Sequence, residues 1–356
     1  MPKTVSVRPY GGALHNIHDV SRSMRLQYIA SIHLGDAKLT LPDESNLGPG
    51  SVSRPHSPRL STPTKRPVAL SLLLATRPKQ WLKNLLVFAA PAAAADLGNR
   101  SVLLDSLVAL LSFILASCSI YLLNDTADID LDRMHPRKRF RPIASGAVTP
   151  RLAITSAIVL MASSLGATAL SGRYQLTVVI SVYLALNITY VYWTKHQPML
   201  DMVSVALGFL LRAIAGGAAS HIPLSNWFLI VASFGSLLMV TGKRSSELKL
   251  LGDSADQHRA SLSGYSSSFL YFVAAVAAAI TVTGYCLWAF ERSSTYPHIA
   301  ILYQISIAPF VLGVLRYALL IDQGEAGAPE DLVLNDRALQ VIGLVWIVAL
   351  GLSIYL

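Results

Sequence analysis

Residues 124–132 read Asn-Asp-Thr-Ala-Asp-Ile-Asp-Leu-Asp and stand at the end of a strongly apolar segment. Three of these carboxylates, Asp125, Asp128 and Asp132, are spaced i, i+3 and i+7, so on one helix they would share a face. Three anions on one stripe repel each other unless a cation lies among them. Mg²⁺ prefers oxygen ligands of this kind, together with phosphate oxygens of a substrate. We therefore predict that these three aspartates are catalytic and bind Mg²⁺.

A basic run, 133–141, follows the aspartates directly. Cations at this place would neutralise phosphate charge that the metal does not reach. The residues predicted to bind substrate here are Asn124, Arg133, Lys138, Arg139 and Arg141. A solvated loop that happens to be charged is the other interpretation. Acidic and basic residues together predict a site for Mg²⁺ and a diphosphate at a membrane surface.

The composition is that of a protein built for lipid. Of 356 residues, 53% are hydrophobic and 14% charged, whereas an average soluble domain has about 25% charged residues. Apolar stretches long enough for a hydrocarbon core of about 30 Å recur. They are 84–98, 103–123, 150–171, 175–193, 199–219, 227–242, 268–290, 298–319 and 338–356. Open sheets do not survive in lipid, so we predict an all-α polytopic membrane protein with about nine transmembrane helices.

The positive charge is distributed by side rather than gathered on one surface. If the N-terminal side is cytoplasmic, sixteen Lys and Arg residues from Arg77 onward lie inside and three lie outside. This asymmetry follows the positive-inside rule. The net charge of +9 therefore orients the protein and does not indicate a nucleic-acid partner. We predict a plasma (inner) membrane protein with its N-terminus and a polar active-site cavity at the cytoplasmic face.

Residues 1–66 differ in composition from 67–356. They are basic, rich in Ser and Pro, and too poor in apolar residues to bury a core. They contain no continuous apolar run typical of a secretory signal. We predict a disordered tail, although an organellar transit segment has a similar composition, followed by one transmembrane domain. Cys118 and Cys286 lie within apolar stretches and are predicted to pack there, not to form a disulfide or zinc site.

Further polar residues interrupt the apolar stretches near their ends. A charge within such a segment is costly and usually functional, although cations and Tyr also serve as simple interfacial anchors. The residues that we predict to bind substrate are Lys83, Asn84, Tyr190, Lys195, Asp201, Arg212, Lys243, Arg244 and Tyr265.

The motif Asn-Asp-x-x-Asp-x-x-x-Asp after the second apolar stretch resembles the hallmark of the UbiA-type intramembrane prenyltransferases. Runs at 77–84, 132–146, 212–217 and 242–248 resemble one branch in particular, the decaprenyl-phosphate phosphoribosyltransferases (5-phosphoribose synthases). Shorter runs at 315–318 and 329–337 fit the same branch. This resemblance covers 74–356 and implies a UbiA-type helical bundle.

The resemblance also implies a reaction. Members of that branch transfer 5-phosphoribosyl from phosphoribosyl diphosphate to decaprenyl phosphate, with Mg²⁺, for cell-wall arabinan synthesis, and are often oligomeric. In the family, a second acidic motif is typical after the sixth span, where this chain has Lys243 and Arg244. Together with Lys83, these cations are expected to position the lipid phosphate. Two alternatives stay open: prenyl transfer to an aromatic or haem acceptor, and secondary transport, favoured only by Asp201 and Arg212.

Overall fold

The apolar stretches wind into helices because each backbone group must be satisfied within its own segment. A computed structural model describes residues 67–251, 262–328, 332 and 335–355. The predicted tail and residues 329–331 lie outside this part, as do Asp253 and Asp256, two aspartates in the polar loop after the sixth apolar stretch. Regular structure in the described part consists of helices, without strands. The α-helices are α1 (Val68–Ala75), α2 (Ala89–Ala93), α3 (Arg100–Ala127), α4 (Ile129–Met134), α5 (Pro150–Leu170), α6 (Tyr174–Tyr192), α7 (Leu200–Ser220), α8 (Asn226–Leu251), α9 (Ser267–Thr295), α10 (Ala300–Gln323) and α11 (Arg337–Tyr355).

Eight of these helices are long and apolar enough to cross a membrane: α3 and α5 to α11. They correspond to the second to ninth predicted spans. The chain is therefore an integral, multi-pass, all-helical membrane protein, which confirms the predicted fold class. Many large apolar side chains remain exposed along these helices, especially on α10 and α11, as expected for surfaces that face lipid tails.

The first predicted span, 84–98, has a different form. A 3₁₀ helix, Pro78–Phe88, leads directly into α2. A 3₁₀ helix rises about 2.0 Å per residue and an α-helix about 1.5 Å, so the two pieces together rise about 30 Å, the thickness of a hydrocarbon core. Pro91 has no backbone N–H to donate to Val87 O, so one hydrogen bond of the α-helical ladder is missing where the 3₁₀ helix meets α2.

The bundle centres on α3 and α7. Helix α3 packs against α5, α6 and α7, while α7 also packs against α8 and against the 3₁₀ helix. Gly216 on α7 allows this last contact, because a Cβ there would stand 1.8 Å from Val87 O. Helices α9, α10 and α11 extend the bundle beyond α8. The ends of α3, α6, α7 and α8 supply the residues of the candidate site.

Candidate active site

Two of the predicted metal ligands share one arginine. Helix α3 ends just before Asp128, whose φ of −96° separates it from α4. Asp125 lies on the last turn of α3 and Asp132 on α4, and both are buried. Arg141 Nη1 donates to Asp132 Oδ2 at 2.6 Å and to Asp125 Oδ1 at 3.3 Å. Arg77 Nη2 also donates to Asp125. A single turn residue, Asp128, thus interrupts the predicted helix. The hydrogen bonds from Asp128 N–H to Asn124 O at 3.0 Å and from Asp132 N–H to Asp128 O at 2.8 Å are kept.

Asp128, at that step, faces a different cation. Lys195 Nζ donates to Asp128 Oδ1 at 2.6 Å. Lys195 is buried on the 3₁₀ turn Thr194–His196, which directly follows α6. The three aspartates therefore lie at one polar end of the bundle. Their carboxylates accept hydrogen bonds from Arg77, Arg141 and Lys195.

The carboxylates offer the donor chemistry that Mg²⁺ requires. Asp125 and Asp132 lie close enough to accept bonds from the same guanidinium nitrogen. Over the described ranges, no group of three or more His, Cys, Asp or Glu residues is close enough to hold a metal ion. Mg²⁺ is usually bound through one or two carboxylates, with waters and substrate phosphates as its other ligands. The Asp125 and Asp132 pair fits this pattern, and joint ligation by Asp128 stays a prediction.

Asp201 and Arg244 form a buried, bidentate ion pair beside this group. Asp201, at the start of α7, is 0% exposed and Arg244, on α8, is 1% exposed. Arg244 donates from Nε at 2.6 Å and from Nη2 at 2.9 Å. Its Nη1 reaches Glu247 Oε2 at 2.6 Å, and Tyr190 donates to Asp201 at 3.2 Å. These contacts show that Arg244 and Asp201 join α7 to α8, and contact of either residue with a substrate stays a prediction.

Arg212 lies deeper in the bundle, three turns along α7 from Asp201. It is 6% exposed. Its Nε donates to Asn84 Oδ1 at 2.8 Å, its Nη1 to Gly208 O at 2.7 Å and its Nη2 to Tyr183 Oη at 2.8 Å. Asn84 in turn donates to Ser117 on α3 at 3.2 Å. The structure thus brings together Asn84 and Arg212, which are 128 residues apart and were both predicted to bind substrate.

Comparison with known proteins assigns the chain to a family. The model of the UbiA prenyltransferase family matches residues 85–335. The chain belongs to the UbiA prenyltransferase family. Among its relatives is the decaprenyl-phosphate phosphoribosyltransferase of Corynebacterium glutamicum, 42% identical over 311 residues, with 85% of this chain and 94% of that protein covered. The protein of the same name from Mycobacterium tuberculosis is 45% identical over 79% of this chain and 93% of its own length.

Solved UbiA structures have the same fold. A UbiA homolog from Archaeoglobus fulgidus bound to GPP and Mg²⁺ matches with a TM-score of 0.63 at 18% identity. The match covers 80% of this chain and 100% of that one. The same homolog bound to DMAPP and Mg²⁺ gives a TM-score of 0.62, also at 18% identity. These likenesses confirm the predicted UbiA-type bundle.

Tyr265 supports an unusual backbone conformation in the connection between α6 and α7. Its side chain is buried, and its hydroxyl accepts a 2.7 Å hydrogen bond from the backbone N–H of Met199. Met199 has a φ of +63°, which a non-glycine residue rarely adopts. Because Lys195 lies four residues earlier on the same connection, this contact supports the segment that carries Lys195, and contact of Tyr265 with a substrate stays a prediction.

Several other predicted residues lie at the edge of the polar end. Arg133 is exposed and donates to Ala144 O at 3.3 Å, while Arg139 stacks over its neighbour Phe140 at 4.8 Å. Arg133 also pairs with Asp130 at 3.3 Å, and neither arginine is among the cations that contact Asp125, Asp128 or Asp132 in the described part of the chain. The remaining predicted residues are Asn124 on the last turns of α3, Lys138 at the start of a 3₁₀ turn, half-buried Lys243 on α8, and Lys83, which lies 5.9 Å from the ring centroid of Phe209.

Arg77 is a site residue that sequence reasoning missed. On sequence alone, an arginine four residues before Trp81 is typical of an interfacial anchor. In the structure its guanidinium contacts Asp125 and lies 5.2 Å from the ring centroid of Tyr121. Its φ of +56° puts a non-glycine residue in the left-handed region, and such strain concentrates at functional sites. The available signal was its membership in the family-like run 77–84.

Proposed function

We propose that the chain transfers 5-phosphoribosyl from phosphoribosyl diphosphate to decaprenyl phosphate, with release of diphosphate. The observation that carries this proposal is its 42% and 45% identity to proteins named for that activity, across 94% and 93% of their lengths. Similarity over nearly the whole relative includes both ends of the site, from Arg77 to Arg244. The product would feed cell-wall arabinan synthesis, as the resemblance implies.

The polar end has the charges that this reaction needs. Asp125 and Asp132, with Asp128 adjoining, would hold Mg²⁺. When bound, Mg²⁺ supplies Lewis-acid stabilisation of the leaving diphosphate. Arg77, Arg141 and Lys195 hold the carboxylates in their present arrangement and lie within reach of phosphate oxygens at the same place.

No general base is required among the protein's residues. An oxygen of the acceptor phosphate, already ionised at neutral pH, forms the new bond to C1 of the ribose. The bond from C1 to the diphosphate oxygen breaks, and its electron pair leaves with the diphosphate. Catalysis is then mostly positioning of two anionic substrates and electrostatic stabilisation of the departing charge.

Orientation and assembly complete the proposal. The excess of Lys and Arg on one side supports a site at the cytoplasmic face of the plasma membrane. Phosphoribosyl diphosphate would enter from the cytoplasm, and the lipid tail would lie between helices. We also propose a homo-oligomer, which rests on the family resemblance alone.

Transfer of labelled phosphoribosyl tests the proposal directly. Membranes that contain the protein are incubated with labelled phosphoribosyl diphosphate, decaprenyl phosphate and Mg²⁺, and lipid-soluble label is measured. The proposal predicts a labelled lipid that is absent without decaprenyl phosphate. Prenyl transfer to an aromatic or haem acceptor predicts none. Asp132→Ala and Asp128→Ala are each expected to abolish labelling while the protein stays folded; a variant that retains wild-type labelling refutes its metal assignment.

A further inference from the structure

Arg212 carries a buried charge that no described carboxylate pairs with. Its three hydrogen-bond acceptors are an amide oxygen of Asn84, a backbone carbonyl and a phenol, all neutral. No carboxylate of the described residues is within ion-pair distance of it. Arg244, the other buried arginine of α7 and α8, instead contacts two carboxylates. The described side chains around Arg212 therefore offer its guanidinium hydrogen bonds but no negative charge.

Aromatic rings enclose this guanidinium. Its Cζ lies 4.8 Å from the ring centroid of Tyr183, 5.7 Å from that of Phe209 and 5.8 Å from that of Phe113. Ring faces attract a cation, but they cannot neutralise it. They also keep water away, and a charge at membrane depth is expensive unless it is paired or faces a ligand. The arrangement favours an anion that arrives with a substrate.

The position of Arg212 along the bundle indicates which anionic group of the two substrates would lie near it. Through Asn84 it is tied to Ser117, eight residues before Asp125 on α3, or about 12 Å along the helix axis. In a single displacement at C1, the entering oxygen approaches from the side opposite the leaving diphosphate. If the diphosphate lies at Asp125 and Asp132, the entering phosphate lies on the deeper side of the ribose. That side faces Arg212.

We propose that Arg212 binds the phosphate head of the acceptor, a phosphate monoester of a long-chain isoprenoid alcohol. This inference rests on the proposed function and adds the place of the second substrate. Asn84 and Tyr183 fix the guanidinium by accepting from Nε and Nη2. Lys83, which shares the ring of Phe209 with Arg212, adds a second cation nearby.

Asn84→Asp tests the proposal by neutralising Arg212 where it stands. The new carboxylate would replace an amide oxygen 2.8 Å from Nε, so the hydrogen bond is kept while the site loses its net charge. Binding of farnesyl phosphate to the purified full-length protein is measured in detergent, without turnover, beside binding of phosphoribosyl diphosphate with Mg²⁺. We expect the Kd for farnesyl phosphate to rise about tenfold or more, since a charge-assisted bond to phosphate is lost. The Kd for phosphoribosyl diphosphate should stay within about twofold.

Two further variants complete the experiment. Arg212→Lys keeps the charge but loses the planar fork, so its Kd for farnesyl phosphate should rise less than that of Asn84→Asp; this holds the test open if one variant fails to fold. Arg173→Gln removes a cation that is paired with Asp105 and should leave both constants unchanged. An unchanged Kd for farnesyl phosphate in Asn84→Asp, or an equal loss of both substrates, overturns the assignment. Failure of the proposed function reads differently, as absence of labelled lipid with the wild-type protein.

Discussion

Asp201→Asn is expected to destabilise the protein strongly. The substitution removes the charge of Asp201, which is 0% exposed, and leaves Arg244, 1% exposed, with Glu247 alone. Breaking a buried ion pair by removing one partner costs about 3–5 kcal/mol, because the other charge stays buried. At about 2–4 °C per kcal/mol for a chain of this size class, Tm should fall by about 6–20 °C. Thermal unfolding of the purified protein in detergent, followed by intrinsic fluorescence, measures this shift.

Two controls make the result specific. Asp201→Asn combined with Arg244→Met should recover most of the lost Tm, since neither charge of this ion pair is then left buried alone. Asp105→Asn makes the same chemical change in a partly exposed pair with Arg173 and should cost no more than about 1 kcal/mol. The reasoning is refuted if Asp201→Asn unfolds at the wild-type temperature, or if the double variant is no more stable than the single one.

Three other predictions concern packing, charge and metal. Gly216→Ala would place a Cβ 1.8 Å from Val87 O and should cost at least about 1–3 kcal/mol, whereas Gly166→Ala meets nothing within 4 Å and should be neutral or stabilising in thermal unfolding. Lys195→Met should lower kcat for lipid labelling about tenfold or more by leaving Asp128 unpaired, and Lys195→Arg should restore part of it; wild-type kcat in Lys195→Met contradicts this. Chelation with EDTA should abolish labelling reversibly, with Tm unchanged, and persistent labelling would argue against a metal.

Sequence patterns predicted the helices and the polar end of the bundle well, because both follow from local spacing. The aspartates lie where an apolar helix ends, and charge asymmetry put them on one side with Lys195. The pairing of charges was not predictable in the same way. Arg77 reaches Asp125 across 48 residues, and Arg244 reaches Asp201 across 43. Such contacts depend on which helices are neighbours, and apolar surfaces of similar composition do not specify this.

Backbone detail was also beyond the reach of periodicity. Spacing alone predicted one helix through all three aspartates, whereas α3 and α4 meet at Asp128, and that residue pairs with Lys195. The 3₁₀ winding of Pro78–Phe88 was equally hidden, since residues three apart are neighbours in both kinds of helix. Neither feature changes the spacing of the apolar residues, so neither can be predicted from that spacing.

The tight winding of Pro78–Phe88 governs how far the first crossing reaches. Rewound as an ordinary α-helix, its 11 residues would be shorter by about 5–6 Å. Val87, near the end of this 3₁₀ helix, packs closely against Gly216 of α7. If that contact is kept, the contraction would displace Arg77 at the opposite end. The guanidinium of Arg77 would then lose its contact with the carboxylate of Asp125. Asp125 would then keep Arg141 as its described cationic partner, through a change of helical pitch and without a hinge.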